Sequence, residues 1–508
     1  MSTAATGCAV RLMLGVLVLA SVTEVASAQT RPTRSQPAAG TQPNRAAASR
    51  RPGQNGPAKV SPRIERAVRE AEQAYQRGDY KYTLELVASV LREIPEHHGA
   101  MYLRASARVE LGNVEQDADL VRQGVLDARE AIRLESSRSP IYFLPYLFGM
   151  TQLAAIEERD EHAEVSLQIA DHVLKRPRLT PADRANLLYQ RATANMQLRR
   201  YDDAEANFEQ SLKADPKHLG SALGLAESQA EGGHRERALS SFSRAVRDFP
   251  QSPLAWNNRG MYRQKLGDLA GATADFTKAV EVQPTYFVAL TNRGFTRLEA
   301  GDPEQAEQDF TASLRIRPDQ SDVFSLRGTS RLRQGKVNAA VEDFREVIRL
   351  DATNAIAQAD LAFALFYSQD YPAALQQFNV AARIDPDLRY LAPWQLLTQL
   401  YLGQAIADSD AVQQALSLPV DKRDWIHDLL VWLGGGLSNE ELIATVSRQT
   451  KQIEQAQLCE AHFFIGMKLL HSSRREEAIS HFRNAVATDI NHLSAWRGAW
   501  LALRRLEN

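Results

Sequence analysis

Cysteine is nearly absent: two residues in 508, and one of them, Cys8, lies in the first ten. If a leader is cut away, Cys459 is the sole thiol and no internal disulfide can form. A strong charge of one sign is missing too, since the formal net charge is −2. Nucleic-acid binding proteins usually show a basic balance, so that class is not expected. No apolar run is long enough to cross a bilayer. Absent as well are His-Glu-x-x-His, Gly-x-Ser-x-Gly, a glycine-rich phosphate loop and Cys-x-x-Cys, so no catalysis, cofactor or metal is expected.

The short apolar run Leu12–Ala20 follows Arg11 and leads to Ala26-Ser27-Ala28. A basic residue, an apolar stretch and small residues at a cleavage position predict an export leader over 1–28, with Gln29 first in the mature chain; the alternative is an anchor left in place. Cys8 precedes the apolar run, so no lipid-attachment cysteine follows it. A periplasmic or secreted location is expected, with no membrane span after cleavage. Residues 29–63 carry Arg31, Arg34, Arg45, Arg50, Arg51, Lys59 and Arg63 with no acidic residue, among many Pro, Ala, Gln and Gly. This composition predicts a disordered basic linker. The rest of the chain is left at about −9.

From 185 to 388 the chain repeats itself every 34 residues, as in "LGDLAGATADFTKAVEVQP" at 266–284 and "AGDPEQAEQDFTASLRIRP" at 300–318. Phe208, Phe242, Phe276, Phe310, Phe344 and Phe378 keep this beat, as do Ala204, Ala238, Ala272, Ala306, Ala340 and Ala374. Gly260, Gly294 and Gly328 occupy the eighth position, and Gly233, Gly267, Gly301 and Gly335 the fifteenth. Small residues at positions eight and twenty let two helices approach closely. Glycine at fifteen ends the first helix, because its backbone tolerates left-handed dihedrals. Proline near the end, as at Pro216, Pro250, Pro284, Pro318 and Pro386, stops the second. A phenylalanine at twenty-four cannot be buried by one hairpin alone, so neighbouring hairpins must stack.

This pattern resembles the tetratricopeptide repeat, which implies an all-α, right-handed superhelix (α-solenoid) of helix-turn-helix units that binds proteins. Six contiguous repeats are expected over 185–388. Divergent copies are expected over 64–184, among them a unit at 98 whose second half is about seven residues longer. A terminal repeat over 459–492 and a capping helix over 493–508 follow. The intervening 389–458 module contains "DWIHDLLVWLGGGLSNEELIA" and leads into "QLCEAHFFIGMKLL". These stretches are similar to the C-terminal part of NlpI-type periplasmic lipoproteins. That resemblance implies a non-enzymatic envelope scaffold, although the lipidated cysteine of that family is missing here.

Three repeats carry arginine at seven (Arg259, Arg293, Arg327), arginine at eleven (Arg263, Arg297, Arg331) and aspartate at twenty-three (Asp275, Asp309, Asp343). The repeats at 219 and 355 lack all three charges, so these residues are expected to pair between the two helices rather than form an anion-binding ladder. The carboxylate clamp known in chaperone-binding members is absent, since only Asn292 of Asn257, Met261, Asn292, Asp322 and Leu326 matches it. Cys459 and His462, three residues apart, and the glycines at 434–436 are read as structural.

The resemblance places positions two, five, nine and twelve of each first helix on a concave wall. There Phe295, Leu298, Leu332, Phe363 and Phe366 are expected to form a hydrophobic stripe for a protein or peptide partner. Leu361–Tyr367 is apolar on every side and must be covered. Either the 389–458 module folds over it or a partner helix lies in the groove. The expected function is an exported scaffold or adaptor. The alternative is an envelope-polymer binding protein acting through the basic linker and arginines.

Overall fold

The computed structural model describes residues 61–135 and 139–507. The expected leader and most of the basic linker lie outside them. Among the described residues there are twenty-five α-helices and no strand. Contacts divide the chain near residue 264 into two compact bodies, each an all-α solenoid of antiparallel helix pairs.

The first helix, Pro62–Gln76, starts inside the stretch expected to be linker. Ser61 accepts the Ile64 N–H on its side-chain oxygen, and Pro62 supplies a first-turn residue whose missing N–H costs nothing there. The same correction applies near the other end. Thr450 caps a helix spanning Lys451–His471, so the terminal repeat's first helix begins ahead of 459.

The seam residues behave as their spacing requires. Phe208, Phe242, Phe276, Phe310, Phe344 and Phe378 are all buried. Burial of each ring is worth about 1.5–3 kcal/mol. The eighth-position glycines exist for these rings: a Cβ on Gly294 would sit 2.8 Å from Phe310, and one on Gly328 would sit 2.9 Å from Phe344.

At position fifteen the helix-ending geometry persists even where glycine does not. Gly233, Gly267, Gly301 and Gly335 have φ between 81° and 85°, and Arg199 and Gln369 hold the same slot at 57° and 69°. The hairpin thus imposes a left-handed backbone on residues that resist it. Position thirty-four supplies N-caps. His97 Nδ1 accepts the Ala100 N–H at 3.1 Å, His218 Nδ1 that of Ser221 at 3.0 Å, and Asn354 Oδ1 that of Ala357 at 3.0 Å.

Candidate functional site

Two of the arginine and aspartate triplets, those around Asp309 and Asp343, are internal ties. Asp309 accepts from Arg293 Nη2 at 2.6 Å and Nε at 3.0 Å, and from Arg297 Nη1 at 2.6 Å. Asp343 takes Arg327 and Arg331 in the same way, at 2.7 and 2.8 Å. Arg293 and Arg327 also reach Thr277 and Thr311 of the preceding repeat at 3.3 Å. Their donors are directed at protein acceptors, so they form no anion ladder. A further triplet escapes the 34-residue register: Arg104 and Arg108 both bind Asp127 at 2.6 Å. Asp127 is displaced seven places, the lengthening seen in that repeat's sequence.

The proposed hydrophobic stripe is corrected by its burial. Phe363 and Phe366 retain 4% and 3% of their surface, and Leu298 and Leu332 are equally enclosed. Phe295 is half-buried beside Leu298, Phe310 and Phe324. Trp394 fills the space in front of helix Ala355–Tyr367, with its ring 4.9 Å from Phe363 and 5.3 Å from Phe366. Phe463 and Phe464 stand behind it at 4.9 and 5.4 Å. The Tyr367 hydroxyl donates to the Ser494 carbonyl at 2.8 Å, tying in helix Ser494–Glu507. A helix apolar all round needs a cover, and here the chain's own C-terminal helices supply it.

The body at 61–263 presents a different wall. In its repeats beginning at 64, 98, 142, 185 and 219, concave positions two, five, nine and twelve are joined by thirteen, one helical turn beyond nine. These positions hold Glu65, Glu72, Glu110, Glu227 and Glu231, with Tyr75, Tyr102, Tyr146 and Tyr189, and no lysine or arginine.

Glu110 keeps only 2% of its surface, and its Oε2 has no hydrogen-bond partner. Burial pushes its carboxyl up to about 8, against the pull of a hydrogen bond from Tyr75. Glu227 is raised to about 7 by desolvation, despite accepting from Asn258 at 3.0 Å, and nearby Glu231 adds to the rise. Burial likewise raises the hydroxyl of Tyr102, to about 12, and pushes those of Tyr75 and Tyr189 well up. Yet Tyr75, Tyr102, Tyr189 and Glu227 all retain part of their solvent-accessible area. Strong desolvation with residual access is the condition of a concave surface. Sequence spacing places these residues on one wall, but Glu110's burial and its unpartnered Oε2 emerge only in the fold.

Other clusters are self-satisfied. A cleft of ≈ 450 Å³ is lined by Glu304, Glu307, Gln308, Thr311, Arg315, Gln334 and Lys336. Burial there opposes ionisation of Glu307, but Lys336, Arg331 and Gln334 hold its carboxyl down to about 2. Cys459 is fully buried with its thiol pushed up to about 12, and His462 Nδ1 faces His481 Nδ1 at 2.9 Å. Cys459 and His462 therefore form no nucleophile and base. Gly434–Gly436 ends helix Trp425–Leu433, with Gly435 at φ 87°. Among the described residues no His, Cys, Asp and Glu group fits a metal, and no helix is long and apolar enough to cross a membrane.

The tetratricopeptide-repeat family profile matches residues 189–253, 223–287 and 325–388, and a second profile of the same description matches 276–308. No curated protein matches. Among solved structures, YrrB, described as a TPR protein with an unusual peptide-binding site, is 17% identical, covering 35% of this chain and 93% of its own, with a TM-score of 0.33. PilF of Pseudomonas aeruginosa is 17% identical over 41% of this chain and 94% of its own, with a TM-score of 0.36. MamA of Desulfovibrio magneticus RS-1 is 18% identical over 33% and 96%, with a TM-score of 0.32. The profile matches end at 388, so the likeness of the following stretch to NlpI-type lipoproteins rests on its sequence alone. With the period, the hairpins, the buried seam and the profile matches in agreement, residues 189–308 and 325–388 are tetratricopeptide repeats.

Proposed function

We propose that this protein is an exported, non-catalytic adaptor that holds a protein partner along the concave wall of residues 61–263. Tetratricopeptide repeats generally bind peptide or protein partners. One contrast carries the choice of wall. The helix at 355–367 is covered by the chain's own aromatics, whereas Tyr75, Tyr102, Tyr189 and Glu227 keep solvent access. The leader sequence supports export, and N-terminal sequencing of the mature protein should then begin at Gln29.

Photo-crosslinking in intact cells tests the wall. A benzophenone amino acid at Tyr102 or Tyr189 should yield an adduct with one identifiable protein, while the same group at exposed Lys278, outside the wall, should not. Adducts of equal pattern from all three sites, or none from the wall, would overturn the reading.

A further inference from the structure

The wall at 61–263 shows a chemical preference, and the inference drawn from it rests on the adaptor reading above. We infer that this wall selects an extended segment of a partner protein bearing arginine or lysine, with Glu110 as its innermost acceptor. Of five successive repeats, those at 64, 98 and 219 place five glutamates at wall positions, and none of the five places a cation there. An acidic segment would meet only like charge there, while a basic one meets complementary charge at several points.

Glu110 carries the second, independent observation. Tyr75 of the preceding repeat pulls its carboxyl down and it in turn raises the hydroxyl of Tyr189 of a later one, so wall residues of three repeats lie within electrostatic reach of one another. Its Oε2 is buried and bonded to nothing. Buried polar atoms are nearly always satisfied, and one that is not invites a donor from outside. A guanidinium or ammonium group brings several donors and the positive charge that a desolvated carboxyl lacks. Tyr75, Tyr102 and Tyr189 add ring faces, which attract cations within about 6 Å of their centres.

Fluorescence anisotropy with the full chain and a labelled peptide of alternating arginine and alanine tests this. Saturable binding is expected, with none for the matching glutamate–alanine peptide. Glu110→Gln keeps the side-chain shape and, measured above pH 8 where the carboxyl is ionised, should weaken binding about tenfold, because a hydrogen bond to a charged group is lost. Glu304→Gln, away from the wall, should leave affinity unchanged, and thermal melts establish that both variants fold. Equal affinity for the Glu110→Gln variant, or equal binding of the acidic peptide, overturns the inference.

The basic residues at 29–63 offer the same chemistry from within the chain. If the peptide binds only after Arg31, Arg34, Arg45, Arg50 and Arg51 are replaced by glutamine, the occupant is this segment and the assignment to a partner fails. Wall-specific photo-adducts without peptide binding would leave the adaptor reading standing and sink only the cationic preference.

Discussion

Helices Ala355–Tyr367 and Pro181–Gln197 hold the same place in their repeats, yet their concave positions have opposite fates. The first leaves Ile356 exposed at its start but buries Ala359, Phe363 and Phe366 under Trp394 and its neighbours. The second offers Asn186, Tyr189, Thr193 and Met196, all partly exposed. One repeat design therefore gives either a core or a receptive surface, according to whether the wall residues are apolar or carry polar ends. Apolar walls draw in the chain's own elements through the area removed from water. Tyrosine and glutamate keep a polar tip that loses hydration when covered, and such a wall stays open until something complementary arrives.

The largest effect should come from removing the cover. Trp394→Ala deletes the ring that meets Phe363, Phe366, Phe463 and Phe464, and large aromatic truncations of this kind cost about 3–5 kcal/mol. Because stacked repeats can unfold in parts, hydrogen exchange read helix by helix is the suitable measurement. Protection should fall across 355–367 and 451–471 and hold across 181–197. Uniform loss would show that the two walls do not differ as argued.

Next comes the tie between the paired helices of the repeat at 287. Asp309 faces two arginines, so Asp309→Leu strands both, at a cost on the order of 3 kcal/mol. Arg293→Leu leaves Arg297 in place and should cost less. The double variant should lose less than the sum of the two in denaturant melts, and additive losses would remove the pairing from the account. The 34-residue beat made this tie legible at 293 and 327, because the repeats at 219 and 355 lack all three charges together. It hid the equal tie at Asp127, where a lengthened helix shifts the aspartate out of step.

Hairpins, seam and helix ends were likewise legible, since each follows from a residue type at a fixed interval. The need for a cover over 361–367 could be read from its apolar faces. The identity of that cover could not, for it depends on how Trp394 and Phe463 fold back from outside the register. The left-handed backbones at Arg199 and Gln369 and the capping role of His97 are imposed by position rather than announced by residue type. Glu110 looks ordinary in sequence because its desolvation arises only once the helices pack around it.

A variant at that glutamate should stabilise the chain. Glu110's carboxyl ionises at about 8 when folded, against an ordinary value of 4.5. The folded state therefore retains a proton that the unfolded state has lost, and stability falls as pH rises from 4.5 through about 8. Glu110→Gln removes this penalty. At pH 7 it should gain about 2–3 kcal/mol over the parent, and below pH 4 the two should coincide. Loss of stability at pH 7 would mean the carboxylate has a partner and the wall is no open acceptor.

The smallest expected effect probes how firmly the cover is held. Arg504, on the exposed side of helix Ser494–Glu507, donates from Nη1 to the Gln334 carbonyl at 3.0 Å and lies over the Trp500 ring at 4.8 Å. It closes the last turn of the cover onto the loop that ends the first helix of the repeat at 321. Solvent reaches this contact, so Arg504→Ala should cost only about 1 kcal/mol, the range of one hydrogen bond and one exposed cation–π contact. The melting temperature will move little, but amide exchange should quicken across 494–507, because this clamp lies at the end of the helix farthest from Tyr367 and its bond to Ser494. Exchange across 355–367 should stay slow, since Trp394 rather than Arg504 fills the space in front of it. If 355–367 opens together with 494–507, the cover is a single hinged flap instead of a packed core, and the C-terminal wall becomes a surface the chain can expose.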